Sequence, residues 1–364
     1  MKFCILCGKE LSKDAAFCTG CGAAAPPVSE TMSSCASPSS QPPKYAPVTH
    51  PKSGVTFRNA VLGFIIPALL LIMVLITGSG SPVFYKLLNL KQVFAQSVST
   101  IAIALAVVLP ARAKGPDLSA GAISGLSAIV AALVVQSGGT WLTGLLLSIA
   151  VAAAIGAVNG IINGLIRIPS SVLTVLISVI VTGFISYVIR QLTFILTRGA
   201  SILAHIPEVS LTAAGVLILL IAFAAVFLLN FTTPLGSPLF KRNRPISVCI
   251  LSYMISAVIA AFAGFYLLLR YRAVTPMVSA GNEPLILFVF ACLLSSRALD
   301  NRIAPALYAM LLAIIWTFFN NLLTVYSVNA FYQYAFFIIL AASTLAVAFV
   351  SRYEKRVSGS LPSA

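Results

Sequence analysis

The chain has 364 residues, of which 59% are hydrophobic and 9% charged, with a formal net charge of +15. A soluble domain carries about 25% charged residues, and the sparse charge here excludes a soluble globular, disordered, coiled-coil or disulfide-rich secreted chain. The first 58 residues hold nine of the 31 charges, leaving 22 for the other 306, so the reading is an all-α polytopic membrane protein with a chemically different N-terminus. Lys and Arg fall in short clusters between long apolar runs, as the positive-inside rule expects, so the basic charge does not point to nucleic acid and none is expected as a partner.

Residues 1–22 contain Cys4-x2-Cys7 and Cys18-x2-Cys21, followed by Gly8 and Gly22 where a tight turn needs positive φ. Two such knuckles place four thiolates around one structural Zn²⁺. The alternatives are two disulfides, which need an oxidising compartment, and a redox pair, which belongs to a βαβ fold that 22 residues cannot build. A ribbon this small buries almost no core, so metal binding supplies most of its folding free energy, on the order of 10 kcal/mol. Residues 23–54 carry seven Pro and seven Ser and no periodicity, which reads as a disordered tether. Cys35 lies in it, outside any CxxC spacing.

From residue 55 to 351 the chain is membrane, with a cytosolic tail at 352–364. An apolar run near 20 residues crosses about 30 Å of hydrocarbon, and about ten transmembrane helices follow: 57–77, 92–110, 118–137, 141–166, 170–192, 211–231, 246–270, 284–299, 303–325 and 330–350. The eighth is short enough for a half-helix or re-entrant segment. With the N-terminus inside, cytosolic segments carry fourteen Lys and Arg beyond the ribbon, Arg112, Lys114 and Lys241 among them, against six outside. Both termini are therefore expected in the cytosol, with the chain multi-pass in the cell (plasma) membrane and lipid around it.

Within or beside the spans stand Gln96, Gln136, Asn159, Asn163, Asn320, Asn321 and Gln333, while Asp117 lies at a span entrance. Intramembrane polar residues either line a path or bond helix to helix. No acid is expected deep in a span, which counts against a proton- or sodium-coupled carrier, and no catalytic constellation is present, so an enzyme is not expected. Gly156, Gly160 and Gly164 recur every four residues in the fourth span, a flat strip for close helix packing.

Three places resemble the permease subunit of the ribose/xylose/galactoside family of bacterial ABC importers. Gly115-Pro116-Asp117-Leu118-Ser119-Ala120-Gly121 fits that family's Gly-x-Asp-Leu-Ser-x-Gly signature; Gly156-Ala157-Val158-Asn159-Gly160 runs on to Arg167-Ile168-Pro169 and Thr174 as its Gly/Asn-rich span does; and Phe319-Asn320-Asn321-Leu322 with Tyr332-Gln333 is similar to its ninth and tenth spans. The resemblance implies a pair of permease subunits (homo- or heterodimer), ABC ATPase subunits on the cytosolic side, and an extracellular solute-binding protein delivering a sugar-like solute (ribose, galactoside or nucleoside class). No Gly-x4-Gly-Lys-Ser/Thr occurs, so another subunit must bind ATP. Asn320, Asn321, Tyr332 and Gln333, with Asn159, Asn163 and Asp117, are the candidate solute path; amides and a phenol suit a neutral hydroxyl-rich solute. The family's coupling stretch between spans six and seven is cut short here at 232–245, where Pro234, Pro238 and Pro245 interrupt it. The alternative function is a non-transporting, permease-derived scaffold or sensor displaying a zinc ribbon.

Overall fold

A computed structural model describes residues 2–3, 10–11, 57–166, 168–196, 211–232, 245–271, 282–296, 298–300 and 303–358. Cys4, Cys7, Cys18, Cys21, the linker 23–54 and most of the 232–245 loop lie outside these residues. The chain divides into two units, 1–53 and 54–364. In the first, β1 (Lys2–Phe3) and β2 (Glu10–Leu11) pair antiparallel, Lys2 opposite Leu11 and Phe3 opposite Glu10.

The second unit is helical among its described residues: α1 (Phe57–Ser79), α2 (Leu87–Ala113), α3 (Ala120–Gln136), α4 (Trp141–Leu165), α5 (Ser170–Leu196), α6 (Leu211–Thr232), α7 (Ile246–Tyr271), α8 (Asn282–Ser295), α9 (Ala304–Val325) and α10 (Ala330–Ser358). A single 3-10 turn at Ala298–Asp300 joins α8 to α9. Six of the helices, α2, α4, α5, α6, α7 and α9, are long and apolar enough to cross a membrane; apolar segments of 10–17 residues lie in the other four. The 14 residues of α8 rise only about 21 Å, short of the hydrocarbon thickness of about 30 Å, in keeping with the short eighth run of the sequence. α10 continues past the expected end at 350 to Ser358.

The centre of the bundle is α2, packed on by α6, α7, α8 and α9. Its residues from Ile101 to Ala113 are all buried. α3 sits between α4, α5 and α7. On the α9 side, Trp316 stacks on Phe337 of α10 at 4.3 Å and leans on Phe288 of α8 at 5.3 Å, offset aromatic contacts of the favoured kind. Facing outward are unbroken apolar surfaces, with Leu69, Ile76, Leu146, Val179, Leu220 and Ile339 all exposed, which only lipid or another apolar partner can satisfy.

The glycine strip of α4 does what its spacing implies. A Cβ at Gly156 would lie 2.6 Å from Tyr253 O and 2.8 Å from Met254 Cα, one at Gly160 would meet the Ile250 backbone, and one at Gly164 would lie 2.6 Å from the Ile246 side chain. α4 and α7 therefore touch backbone to backbone, as small residues four apart allow. The α3–α4 turn needs glycine for a different reason: Gly138 has φ +90, and behind it Gly139 N reaches back to Val134 O at 2.9 Å, a left-handed C-terminal cap. α9 closes the same way on a residue with a side chain, Ser327, at φ 54.

Candidate functional site

The last turn of α2 contains Pro110, whose carbonyl accepts from both Lys114 N (2.9 Å) and Gly115 N (3.0 Å). That closes the helix at Ala113, and the run Arg112–Ser119, which spans its end, is gripped by four other helices. Toward α6, Arg112 Nη1 donates to Asn230 Oδ1 at 2.8 Å; Arg112 is 2% exposed and Asn230 0%. Toward α4, Lys114 Nζ donates to the carbonyls of Asn163 and Ile166, capping that helix's C-terminal end. Toward α7, Gly115 O accepts from Tyr253 OH at 3.2 Å. Toward α5, Leu118 N donates to Thr174 Oγ1 at 3.1 Å, and that hydroxyl donates on to Ser170 O at 2.9 Å.

Asp117 sits in the middle of this knot. Ser119 donates to its Oδ1 from both the backbone (3.0 Å) and the hydroxyl (2.5 Å), and Ser256 of α7 donates to Oδ2 at 3.4 Å. Asn159 Nδ2 donates to Ser119 Oγ at 2.8 Å, and Asn163 Nδ2 donates to Asn159 O at 3.0 Å. Asp117 stands in the connection between α2 and α3 yet is 0% exposed. Burial pushes its carboxyl up to about 6 from 3.8, against the opposing pull of the Ser119 and Ser256 hydrogen bonds. The structure adds enclosure to two sequence readings. Asp117 stands just before α3, at the span entrance expected for it, and is fully enclosed because α4, α5 and α7 converge on the connection that carries it. Arg112, counted among the cytosolic cations, is enclosed as well, because α6 ends beside it.

The second group of candidates lies at the other helix ends. Asn321 of α9 forms a reciprocal amide pair with Asn89 of α2, at 2.9 and 3.1 Å. Gln333 Nε2 donates to Val328 O at 2.6 Å within its own turn, Asn320 is half-buried with its carbonyl taken by Thr324 Oγ1 at 3.0 Å, and Tyr332 is 66% exposed. Tyr326 OH donates to Thr77 O at 2.8 Å, joining the α1 and α9 ends. The seven candidates are thus two clusters rather than one site. Asp117, Asn159 and Asn163 are brought together, while Asn320, Asn321, Tyr332 and Gln333 gather at the opposite end.

Sequence reasoning missed four partners. Asn89 sits just before the second expected span, in a polar stretch with Lys86 and Lys91, and Ser256 and Asn230 are small polar residues in otherwise apolar runs. Glu283 lies one residue before the expected eighth span; it stands in the first turn of α8, where a negative charge suits the helix dipole, and accepts from Ser178 Oγ of α5 at 3.1 Å.

Residues 89–240, which include the knot's α2, α4, α5 and α6 components, match a family described as branched-chain amino acid transport system / permease component. The galactose/methyl galactoside import permease protein MglC of Escherichia coli (strain K12) is 44% identical over 68 residues, 19% of this chain and 20% of that protein, and the MglC of Salmonella typhimurium matches to the same extent. The chain thus spans about a fifth of the length of the curated relatives it matches. No solved structure matches it. Residues 89–240 are thus similar to a permease-component family and a stretch of 68 residues is similar to galactoside import permeases, in line with the resemblance carried by Gly115–Gly121 and Gly156–Thr174.

Proposed function

We propose that the chain is the membrane-spanning permease subunit of an ABC importer for a sugar or sugar-like solute, with ATP bound by separate subunits and the solute delivered by an extracellular binding protein. The observation that carries the reading is the 44% identity over 68 residues to galactoside import permeases, together with the family match over 89–240. The galactoside relatives favour a hydroxylated solute over the branched-chain amino acids named in the family's description. Ten membrane crossings with both termini in the cytosol fit the alternation of helix ends: the C-terminal ends of α2, α4 and α6 share one end with the start of α5, while Asn89, Asn321 and Thr77 share the other. The solute enters past Asn320, Asn321, Tyr332 and Gln333, which lie at that second end, with Tyr332 open to it. Asn159 Oδ1 and Asn163 Oδ1, buried and without a partner among the described residues, support a polar path reaching α4. In the first unit, one structural zinc on Cys4, Cys7, Cys18 and Cys21 fits the β1–β2 pairing that brackets the first Cys pair.

The test is uptake of radiolabelled methyl galactoside, ribose and leucine by cells lacking their own permeases. The cells express this chain with the ATPase and binding protein of a galactoside importer. Uptake of a sugar that depends on both the chain and ATP is the expected result. Leucine uptake alone would move the assignment to the amino-acid branch, and no uptake with no ATPase co-purifying would sink it.

A further inference from the structure

Glu283 stands inside the helical layer rather than at its edge. Its Oε1 accepts from Ser178 Oγ of α5 at 3.1 Å, and Tyr334 of α10 lies within electrostatic reach of it. Ser178 is eight residues past the start of α5 at Ser170, so about 12 Å from the helix end that joins the Arg112–Ser119 run. Tyr334 is four residues past the start of α10 at Ala330, so about 6 Å below the end that carries Tyr332 and Gln333. A carboxylate between those two levels is costly in hydrocarbon, and acids at such depth mark solute or ion paths. The first-turn amides of α8 lack acceptors within the helix and offset part of the cost of a negative charge there. The place is not sealed either, since Glu283 is half-buried and Tyr334 is 40% exposed.

We propose that Glu283 is a solute-binding residue of the path: its carboxylate accepts hydrogen bonds from the hydroxyls of a sugar-like solute that has passed Tyr332 and Gln333, and the Tyr334 phenol lines the same place. This rests on the importer reading. A carboxylate offers about four acceptor positions on its two oxygens, so it can serve Ser178, its other neighbours and a solute hydroxyl together. Adjacent hydroxyls of a sugar match the two oxygens, and bonds to an ionised acceptor are about twice as strong as those between neutral groups. The same charge repels a solute that carries a carboxylate of its own, which sets galactosides ahead of amino acids at this point.

The experiment is the full chain in proteoliposomes with the ATPase and binding protein of a galactoside importer, measuring ATP-driven uptake of methyl galactoside and of its monodeoxy analogues. Glu283→Gln keeps the size of the side chain and an acceptor for Ser178 while removing the charge. Ser178→Ala keeps the carboxylate and removes its tie to α5. The Gln variant should take up methyl galactoside about tenfold more slowly. It should also lose most of the native preference for the parent sugar over at least one monodeoxy analogue, because the bond to that hydroxyl is the one weakened. Selection by the binding protein is common to all variants and cancels in this comparison. Ser178→Ala should stay within about twofold of the unmodified chain in both readouts. An unchanged rate in the Gln variant overturns the proposal. So does a slower rate with the preference for every hydroxyl intact, or an equal loss in Ser178→Ala, since Glu283 then only ties α8 to α5. Failure of the Gln variant to accumulate overturns it on the same ground. If the unmodified chain with these partners moves no galactoside, the importer reading itself has failed, a result distinct from all of these.

Discussion

Asp117→Asn should make the protein more stable above pH 6 and remove a pH dependence that the native chain carries. The carboxyl is fully enclosed and its pKa rises from 3.8 to about 6, chiefly through burial. A carboxylate whose folded-state pKa lies above its unfolded value favours folding only when protonated. The native chain therefore bears no penalty below about pH 4, a growing one between 4 and 6, and the full penalty above 6. At 1.36 kcal/mol per unit, the full penalty is about 3 kcal/mol. Asparagine keeps an acceptor oxygen for the two Ser119 donors and offers its amide to Ser256, whose hydroxyl can accept as well as donate. The estimate is an upper bound, since hydrogen bonds to an ionised carboxylate are stronger than those to an amide. For a chain of this size, each kcal/mol is worth roughly 2–4 °C of melting temperature, so the variant should melt about 5–10 °C higher at pH 7.5 and alike below about pH 4. Thermal unfolding of both proteins in one detergent across this pH range measures it. A variant that melts lower than the native chain at pH 7.5, or retains the same pH slope, would refute the argument that the buried charge is a cost.

Gly156→Ala should force α4 from α7 and cost about 1–3 kcal/mol, as overpacking does, because its Cβ would lie 2.6 Å from Tyr253 O; Gly183→Ala in α5, with nothing within 4 Å, should instead gain about 0.5–1 kcal/mol. Melting the two variants side by side separates packing from backbone entropy. Ser327→Gly should stabilise the α9 cap by about 1 kcal/mol, since φ 54 penalises a side chain; an unchanged or lower melting temperature would show that Ser327 gains elsewhere. Metal analysis of the purified chain should find one zinc, lost in a Cys18→Ser, Cys21→Ser double variant; unchanged stoichiometry in that variant would remove those ligands.

The helices were legible because apolar runs of the right length have few other readings. The expected span 141–166 corresponds to α4 at Trp141–Leu165, and 246–270 to α7 at Ile246–Tyr271. The glycine strip was legible for the same reason: its period alone says that another helix can come close. Asp117 was not, although its motif was recognised, because enclosure is a property of the helices that converge on it. Nothing in Gly115–Gly121 says that Ser256, 139 positions away, completes the hydrogen bonding of the carboxylate. Asn89 failed for a related reason. Its neighbours Lys86 and Lys91 made the stretch look like a solvated connection, whereas α2 begins at Leu87 and the Asn89 amide finds its complement on α9. Arg112 shows the limit of charge counting, since a cation at a helix end counts equally whether it meets water or Asn230.

The burial of α2 also bears on how the protein is made. The helices that enclose it, α6, α7, α8 and α9, all follow it in the chain, so α2 leaves the ribosome with none of its final neighbours. The chain from Ala113 to Val325 takes roughly 10–40 s to synthesise at about 5–20 residues per second. Over that interval α2 has to reside in lipid or beside the insertion machinery, which its apolar length permits. Arg112 is the part least suited to that wait, because Asn230, one of its partners, arrives only with the end of α6. Until then the guanidinium must stay with the headgroups at the membrane surface. Completion of α6 is therefore the earliest point at which Arg112 can meet Asn230 and the end of α2 be held to the end of α6.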